Sequence, residues 1–427
     1  MISTEARREA AILVWSGSDR HATADSLAEL NMLAETAGLE VAGRLSQLID
    51  RPSPATRIGK GKVEELAEAI RDHCAEVVVF DDPLTPAQRR NLEKKLDVKV
   101  IDRSQLILDI FALRARTHSG RLQVELAQLE YLLPRLTRQW THLSRIRGGV
   151  GTRGPGETQL ENDRREVANK IAKLKERLAD IDRTRRLNRR EREAVPYPTV
   201  SLVGYTNAGK SSLMNRLTGA DMYVADQLFA TLESTVRSFV LPHGAKVMLV
   251  DTVGFISKLP HELVEAFKGT LEQVVQSDLV LHVVDSADRE LPARIKVVES
   301  ILEELGASGI DTILVHNKSD LPGVVAAPPG AVAVSARTGE GCPSLLAQIE
   351  TRLGERDEEV AVELSVADGK TRAWLHEHGR IISEETDDET RRIVVRLGAR
   401  ASGRLRRMMT GRAVHGTLAR NGTEEAQ

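Results

Sequence analysis

The chain has 427 residues, 41% hydrophobic and 29% charged, a balance that excludes a wholly disordered polypeptide and predicts about three domains at ~150 residues each. Its apolar runs, such as Leu279 to Val284, are far shorter than the ~20 residues that span a bilayer, and the opening MISTEARREA is unlike a signal peptide. Two cysteines, Cys74 and Cys342, exclude a disulfide scaffold and a Cys-x-x-Cys metal site, so the expectation is a soluble cytoplasmic protein with no stable membrane insertion. The net charge of −2 hides an uneven distribution: residues 114–193 hold 20 Lys and Arg against 11 Asp and Glu, a net +9. Residues 391–423 add nine Arg with no Lys and no acid. Two basic segments in a near-neutral chain point to local contact with a polyanion; a solvated helix face is the alternative reading.

Residues 1–113 alternate strand-like runs (Ala10 to Trp15, Glu76 to Phe80, Val98 to Ile101) with helical spacing (Ala24 to Ala37), as in a small α/β subdomain. From 114 to 195 the pattern changes. Leu122, Leu126, Leu129, Leu133, Leu136, Trp140 and Leu143 follow steps of four and three, a heptad seam, with Pro134 predicted to kink it. A second seam runs through Val167, Ile171, Leu174, Leu178 and Ile181. Between them lies a Gly-rich tip, 148–158, so the segment reads as a basic antiparallel helical hairpin. The tip is either a plain turn or a probe held out by a rigid arm. Arg147 and Arg153 at the tip, with Arg164, Arg165 and Lys173 on the second helix, are the candidate RNA-contacting side chains.

Residues 197–355 carry the chemistry. Residues 199–204 read as a buried strand that runs into Gly204-Tyr205-Thr206-Asn207-Ala208-Gly209-Lys210-Ser211-Ser212 and then a helix, the strand–loop–helix context of a phosphate-binding loop. There the backbone N–H groups cradle phosphates, Lys210 reaches the outer oxygens and Ser211 offers its hydroxyl to Mg²⁺. A strand from Lys246 ends in Asp251-Thr252-Val253-Gly254, the pattern of switch II, with Asp251 holding Mg²⁺ through water and the Gly254 N–H on the γ-phosphate. Between these, Phe229-Ala230-Thr231-Leu232-Glu233 is placed for switch I; Thr231 is the candidate second hydroxyl on Mg²⁺ and Thr235 its competitor. Asn317-Lys318-Ser319-Asp320 follows another strand: the Asp320 carboxylate suits guanine N1–H and the 2-amino group, Asn317 the base edge, and the Lys318 stem the ring face. Ser335-Ala336-Arg337 reads as the last base-contacting loop, with the Ala336 N–H toward the guanine carbonyl. The order of these motifs predicts a Ras-like P-loop G domain binding GTP and GDP. Phe255 stands where Ras-like proteins place the glutamine that orients water, so hydrolysis is expected to be slow alone. Asn207 is the candidate ligand for a K⁺ ion, or else an ordinary loop-stabilising side chain.

These residues, with Ile58 to Leu66 (IGKGKVEEL), Asp102 to Ala112, Gln123 to Gln128 and Gly148 to Glu161, resemble the HflX family of translational GTPases. The resemblance implies GTP hydrolysis, binding to the large (50S) ribosomal subunit and its 23S rRNA, the Gly-rich tip reaching toward the peptidyl-transferase region, and splitting or rescue of stalled ribosomes. It weakens over 356–427, where Val360, Val362 and Leu364, a helix to His378 and Ile393 to Leu397 suggest a small α+β domain. The fold class read from the chain is therefore α/β: an N-terminal α/β subdomain with the hairpin, the G domain and this C-terminal domain, in a monomer. The competing functions are a ribosome-assembly or RNA-modification GTPase of Era/Obg type and a non-catalytic GTP-dependent switch.

Overall fold

The computed structural model describes residues 8–136, 155–192, 197–219, 228–229, 231, 234–258, 263, 273–355, 357–387 and 389–410. The chain forms two compact units, Met1–Asp182 with Ala225–Leu232 and Lys258–Lys268, and Arg183–Val224 with Glu233–Ser257 and Gly269–Gln427.

In the first unit β1 (Ala10–Gly17), α1 (Arg20–Thr36), β2 (Glu40–Leu48), α2 (Lys60–His73), β3 (Val77–Phe80), α3 (Pro86–Leu96), β4 (Lys99–Asp102) and α4 (Arg103–Arg114) build a parallel sheet of order β2-β1-β3-β4. β3 is buried on both faces, which is why Val77-Val-Val-Phe80 is uninterrupted apolar sequence. β2 was not anticipated: its half-exposed, mixed sequence carries no apolar run. Thr85 and Gln88 close a capping box over α3, with Pro86 in its first turn. At the carboxyl ends of the strands, Asp81 accepts from Arg103 at 2.7 Å and Asp102 accepts from the Tyr131 hydroxyl at 2.6 Å. Burial first, and then Asp102, hold the Tyr131 phenol well above its usual range.

The heptad seam is realised. α5 (His118–Leu132) packs on α6 (Pro155–Arg192) through Leu122, Leu126, Ile171 and Leu174, flanked by Leu129, Leu133, Val167, Leu178 and Ile181. Lys175 pairs with Glu130 at 2.8 Å. At Pro134 the α-helix gives way to a single 3₁₀ turn, Leu133–Leu136, because proline has no N–H to continue the ladder. Trp140 and Leu143 lie outside the described residues, as do Arg147 and Arg153. Of the expected tip, 148–158, residues 148–154 lie outside the described residues, and 155–158 are the first residues of α6, which opens on Pro155, a favoured residue in a helix's first turn. Arg164, Arg165 and Lys173 are exposed on α6.

In the second unit β5 (Thr199–Val203), α7 (Lys210–Thr218), β6 (Thr235–Val240), β7 (Lys246–Asp251), β8 (Leu279–Asp285), α8 (Leu291–Glu304), β9 (Thr312–Asn317), β10 (Val332–Ala333) and α9 (Cys342–Gly354) form a six-stranded sheet of order β10-β9-β8-β5-β7-β6. Every pairing is parallel except β6 with β7. Leu202, Leu213, Leu249, Leu281, Val315 and Leu345 are among its buried core.

A three-stranded antiparallel sheet of order β11-β13-β12 follows, from β11 (Glu358–Ser365), β12 (Arg380–Thr386) and β13 (Thr390–Leu397), with α10 (Gly369–His378) and α11 (Ala399–Thr410). It has its own core of Val360, Val362, Leu375, Ile393, Val395 and Leu405. β12 was not anticipated, because an exposed edge strand carries a polar sequence. Part of the arginine-rich stretch is neutralised internally: Arg391 pairs with Glu384, Arg396 with Glu359 and Arg406 with Glu358. No described helix is long and apolar enough to cross a membrane.

Candidate functional site

The site is built at the carboxyl ends of β5, β7 and β9. β5 ends at Val203, and the chain turns through Gly204, whose φ of +152° and a would-be β-carbon 2.1 Å from the Val283 carbonyl oxygen demand glycine. Gly209, at φ +88°, starts α7, so Lys210, Ser211 and Ser212 open a helix whose N–H groups are directed at the loop. The buried Lys210 ammonium donates to the Gly204 and Tyr205 carbonyls at 3.0 and 2.9 Å. Burial lowers its pKa to about 8 despite the attraction of Asp251.

Asp251, at the end of β7, is fully buried and accepts from the Ser211 hydroxyl at 2.6 Å. Two of the three expected Mg²⁺-side groups, Ser211 and Asp251, are thus adjacent, and a hydroxyl beside a buried carboxylate is a hard oxygen donor set of the kind Mg²⁺ takes. Thr252 donates to the Leu202 carbonyl at 2.7 Å, fixing the start of switch II to β5. Val253 is buried. Gly254 lies against the phosphate loop: a β-carbon there would sit 2.8 Å from the Thr206 Cα and 3.1 Å from the Lys210 Nζ. Phe255 is buried among Val203, Val274, Val280 and Val298, so the residue at the glutamine position is core. Of the expected switch I, Phe229 is buried and its ring meets Phe111 edge-on at 4.6 Å within the first unit, and Thr231 is half-buried. Ala230, Leu232 and Glu233 lie outside the described residues. Thr235 is the first residue of β6, opposite Asp251. Asn207 is half-buried at φ +62°.

In the loops expected to contact the base, two of the expected contact groups, the Asn317 amide and the Ala336 N–H, are engaged within the protein. Asn317 does not present its amide outward: it is buried, donating to the Ala208 carbonyl at 2.8 Å and accepting from the Ala336 N–H at 3.0 Å. It bridges the phosphate loop to the Ser335–Arg337 loop, and it engages the Ala336 N–H expected to face the guanine carbonyl. Lys318 pairs with Asp285 at 2.7 Å, and Ser319 donates its N–H to the Val334 carbonyl at 3.1 Å. Asp320 accepts from the Ser335 hydroxyl at 2.7 Å and pairs with Arg337 at 2.6 Å. The Ser335 hydrogen bond leads the causes that hold its carboxyl below the usual range.

Sequence reasoning missed three contributors. Arg216 on α7 donates to the carbonyls of Ala336 and Arg337, pinning the last base loop from behind. Asp285 receives Lys318. Ser257 bonds the Tyr205 hydroxyl. No local spacing reveals them, because their partners lie 33 to 121 residues away.

Four family models match consecutive stretches: the GTP-binding GTPase N-terminal region over 24–112, the GTP-binding GTPase middle region over 114–192, a 50S ribosome-binding GTPase over 199–318, and the HflX C-terminal domain over 308–416. The GTPase HflX of Caldanaerobacter subterraneus subsp. tengcongensis is 49% identical over 368 residues, 86% of each chain. That of Escherichia coli K12 is 44% identical over 389 residues, 89% of this chain and 91% of its own. A GTP-binding protein from Sulfolobus solfataricus, solved with GDP, is 25% identical, with 81% of this chain and 98% of its own aligned at a TM-score of 0.43. With Gly204–Ser212, the buried Asp251 and Asn317–Asp320 assembled on one sheet, and with 49% and 44% identity to these two HflX GTPases over most of its length, the chain belongs to the HflX family of GTPases.

Proposed function

We propose that the chain uses GTP hydrolysis to drive a cycle of binding to the large ribosomal subunit, with 23S rRNA as the contact, and that it splits or rescues stalled ribosomes as a monomer. The observation that carries this reading is the arm. α5 and α6 pack along an apolar seam within a segment of net charge +9, and the Gly-rich stretch joins them in sequence. Exposed Arg164, Arg165 and Lys173 would supply salt-dependent phosphate affinity, and a packed helix pair is the kind of scaffold on which joining residues carry function.

In this reading Gly204 to Ser212 hold the phosphates, Gly254 contacts the γ-phosphate, and Lys318 to Asp320 with Ser335 to Arg337 select guanine. Ser211 and, through water, Asp251 would hold Mg²⁺, which when bound neutralises the charge that develops on the phosphates. The Lys210 ammonium exchanges its two carbonyl partners for phosphate oxygens. Asn317 acts from behind, keeping the phosphate loop and the base loop at one spacing. Buried Phe255 orients no water, so the ribosome completes the arrangement; Asn207 is the residue that would hold a K⁺ ion, which would supply charge in place of an arginine.

The test is sedimentation with 50S particles. Binding is expected with a non-hydrolysable GTP analogue and not with GDP. Removing 149–156 and closing the hairpin should spare that binding and abolish subunit separation. A shortened protein that separates subunits at the unaltered rate would sink the proposed role of the tip.

A further inference from the structure

Tyr205 occupies a place in the phosphate loop where its backbone alone is needed, yet its side chain is buried and fully engaged. Its hydroxyl accepts from the Ser257 N–H at 2.7 Å and shares a second hydrogen bond with the Ser257 hydroxyl at 2.8 Å. Two residues earlier, the backbones join: the Thr206 N–H donates to the Phe255 carbonyl at 2.7 Å and the Phe255 N–H to the Gly204 carbonyl at 3.1 Å. The guanidinium of Arg294 lies over the Tyr205 ring, 4.5 Å from its centroid, and is itself held by Asp288 at 2.8 Å. A cation on one face and a two-point hydrogen bond at the tip leave the ring one orientation.

We infer that Tyr205 is a positioning residue for GTP hydrolysis, tying Ser257 to the phosphate loop so that the backbone of Gly254 is held against Thr206 and Lys210. The inference rests on reading Gly254 as the γ-phosphate donor. Phe255 sits inside the tied stretch and is locked into the core. The chain therefore lacks a side chain at 255 to orient water, and it relies on a preorganised backbone, which stabilises a transition state without reorganisation. A donor aimed at the γ-phosphate contributes nothing to GDP binding. Loss of the tie must therefore appear in the chemical step and in the preference for a triphosphate, not in diphosphate affinity.

The experiment compares Tyr205→Phe, Ser257→Ala, the double variant and Lys210→Ala in the full chain, measuring single-turnover hydrolysis, KM, melting temperature, and affinity for GDP and a non-hydrolysable GTP analogue. Tyr205→Phe is expected to lower kcat about tenfold, the scale of one to two lost hydrogen bonds, with GDP affinity within about twofold of the parent. The triphosphate analogue should weaken several-fold. Ser257→Ala keeps the backbone donor and should cost less, and the double variant should equal Tyr205→Phe, because loss of the Tyr205 hydroxyl already removes both hydrogen bonds. An unchanged kcat, an equal weakening of GDP and the analogue, or additive losses in the double variant would overturn the inference. Lys210→Ala separates the two levels. If it leaves GTP binding intact, the site reading falls and this inference with it. If it abolishes binding while Tyr205→Phe does nothing, only the role of Tyr205 is refuted.

Discussion

The amide nitrogen of Asn317 would lie 2.2 Å from a β-carbon placed on Gly209. The same amide holds the Ala208 carbonyl and, through its oxygen, the Ala336 N–H. Any side chain at 209 therefore evicts the bridge between the phosphate and base loops, and it must also adopt a φ of +88°. Gly209→Ala is expected to weaken GTP and GDP alike, by at least tenfold, and to destabilise the second unit by about 1–3 kcal/mol. Nucleotide titration and differential scanning fluorimetry check both.

In the proposed reading Asp320 supplies the carboxylate that accepts from guanine, and an amide in its place would put a donor against a donor. Asp320→Asn should lower GTP affinity by about a hundredfold or more, since buried polar groups left mismatched are costly. The same amide suits xanthine, whose 2-oxo group accepts, so xanthosine triphosphate should bind the variant better than GTP does. Competition with ATP, GTP and xanthosine triphosphate reads this directly. ATP competing as well as GTP in the unaltered protein would refute the guanine assignment.

Lys210 gives nucleotide affinity a pH dependence. Its pKa in the protein is lowered to about 8, chiefly by burial, and bound phosphates favour the ammonium and raise it again. Affinity for GTP should be flat from pH 6.5 to about 7.5. It should then fall as pH rises through about 8, by at most tenfold per unit, because the free protein loses the proton that the complex keeps. A profile that is level from pH 7 to 9 would contradict the role of the Lys210 charge.

His282 on β8 is buried, and its pKa is lowered to about 4, first by burial, then by Lys210 and His316. Its Nε2 has no hydrogen-bond partner among the described residues. Between about pH 6.5 and 4 the unfolded chain binds a proton that the folded chain refuses, so stability is lost as pH falls across that window. The loss from this group reaches about 3 kcal/mol at the low end. His282→Leu should flatten the decline, measured as denaturation midpoints at pH 4.5, 5.5 and 7. An undiminished slope would place the acid sensitivity elsewhere.

What the sequence determined by itself is everything that depends on contiguous residues. The stretches Gly204–Ser212, Asp251–Gly254, Asn317–Asp320 and Ser335–Arg337 are short motifs of contiguous residues, each at or just after the end of a strand. The seam of α5 and α6 was legible for a similar reason: a helix repeats every 3.6 residues, so its buried face is written as a period. Tertiary structure alone decided the rest. β2 and β12 are edge strands whose polar, half-exposed sequences carry no alternation, and only their partners make them strands. The inward turn of Asn317, the grip of Arg216 on Ala336 and the tie between Tyr205 and Ser257 join residues 109, 120 and 52 positions apart. A side chain's local sequence says what it can donate or accept. Which group it meets is settled when the strands pair and bring distant loops to the same end of one sheet.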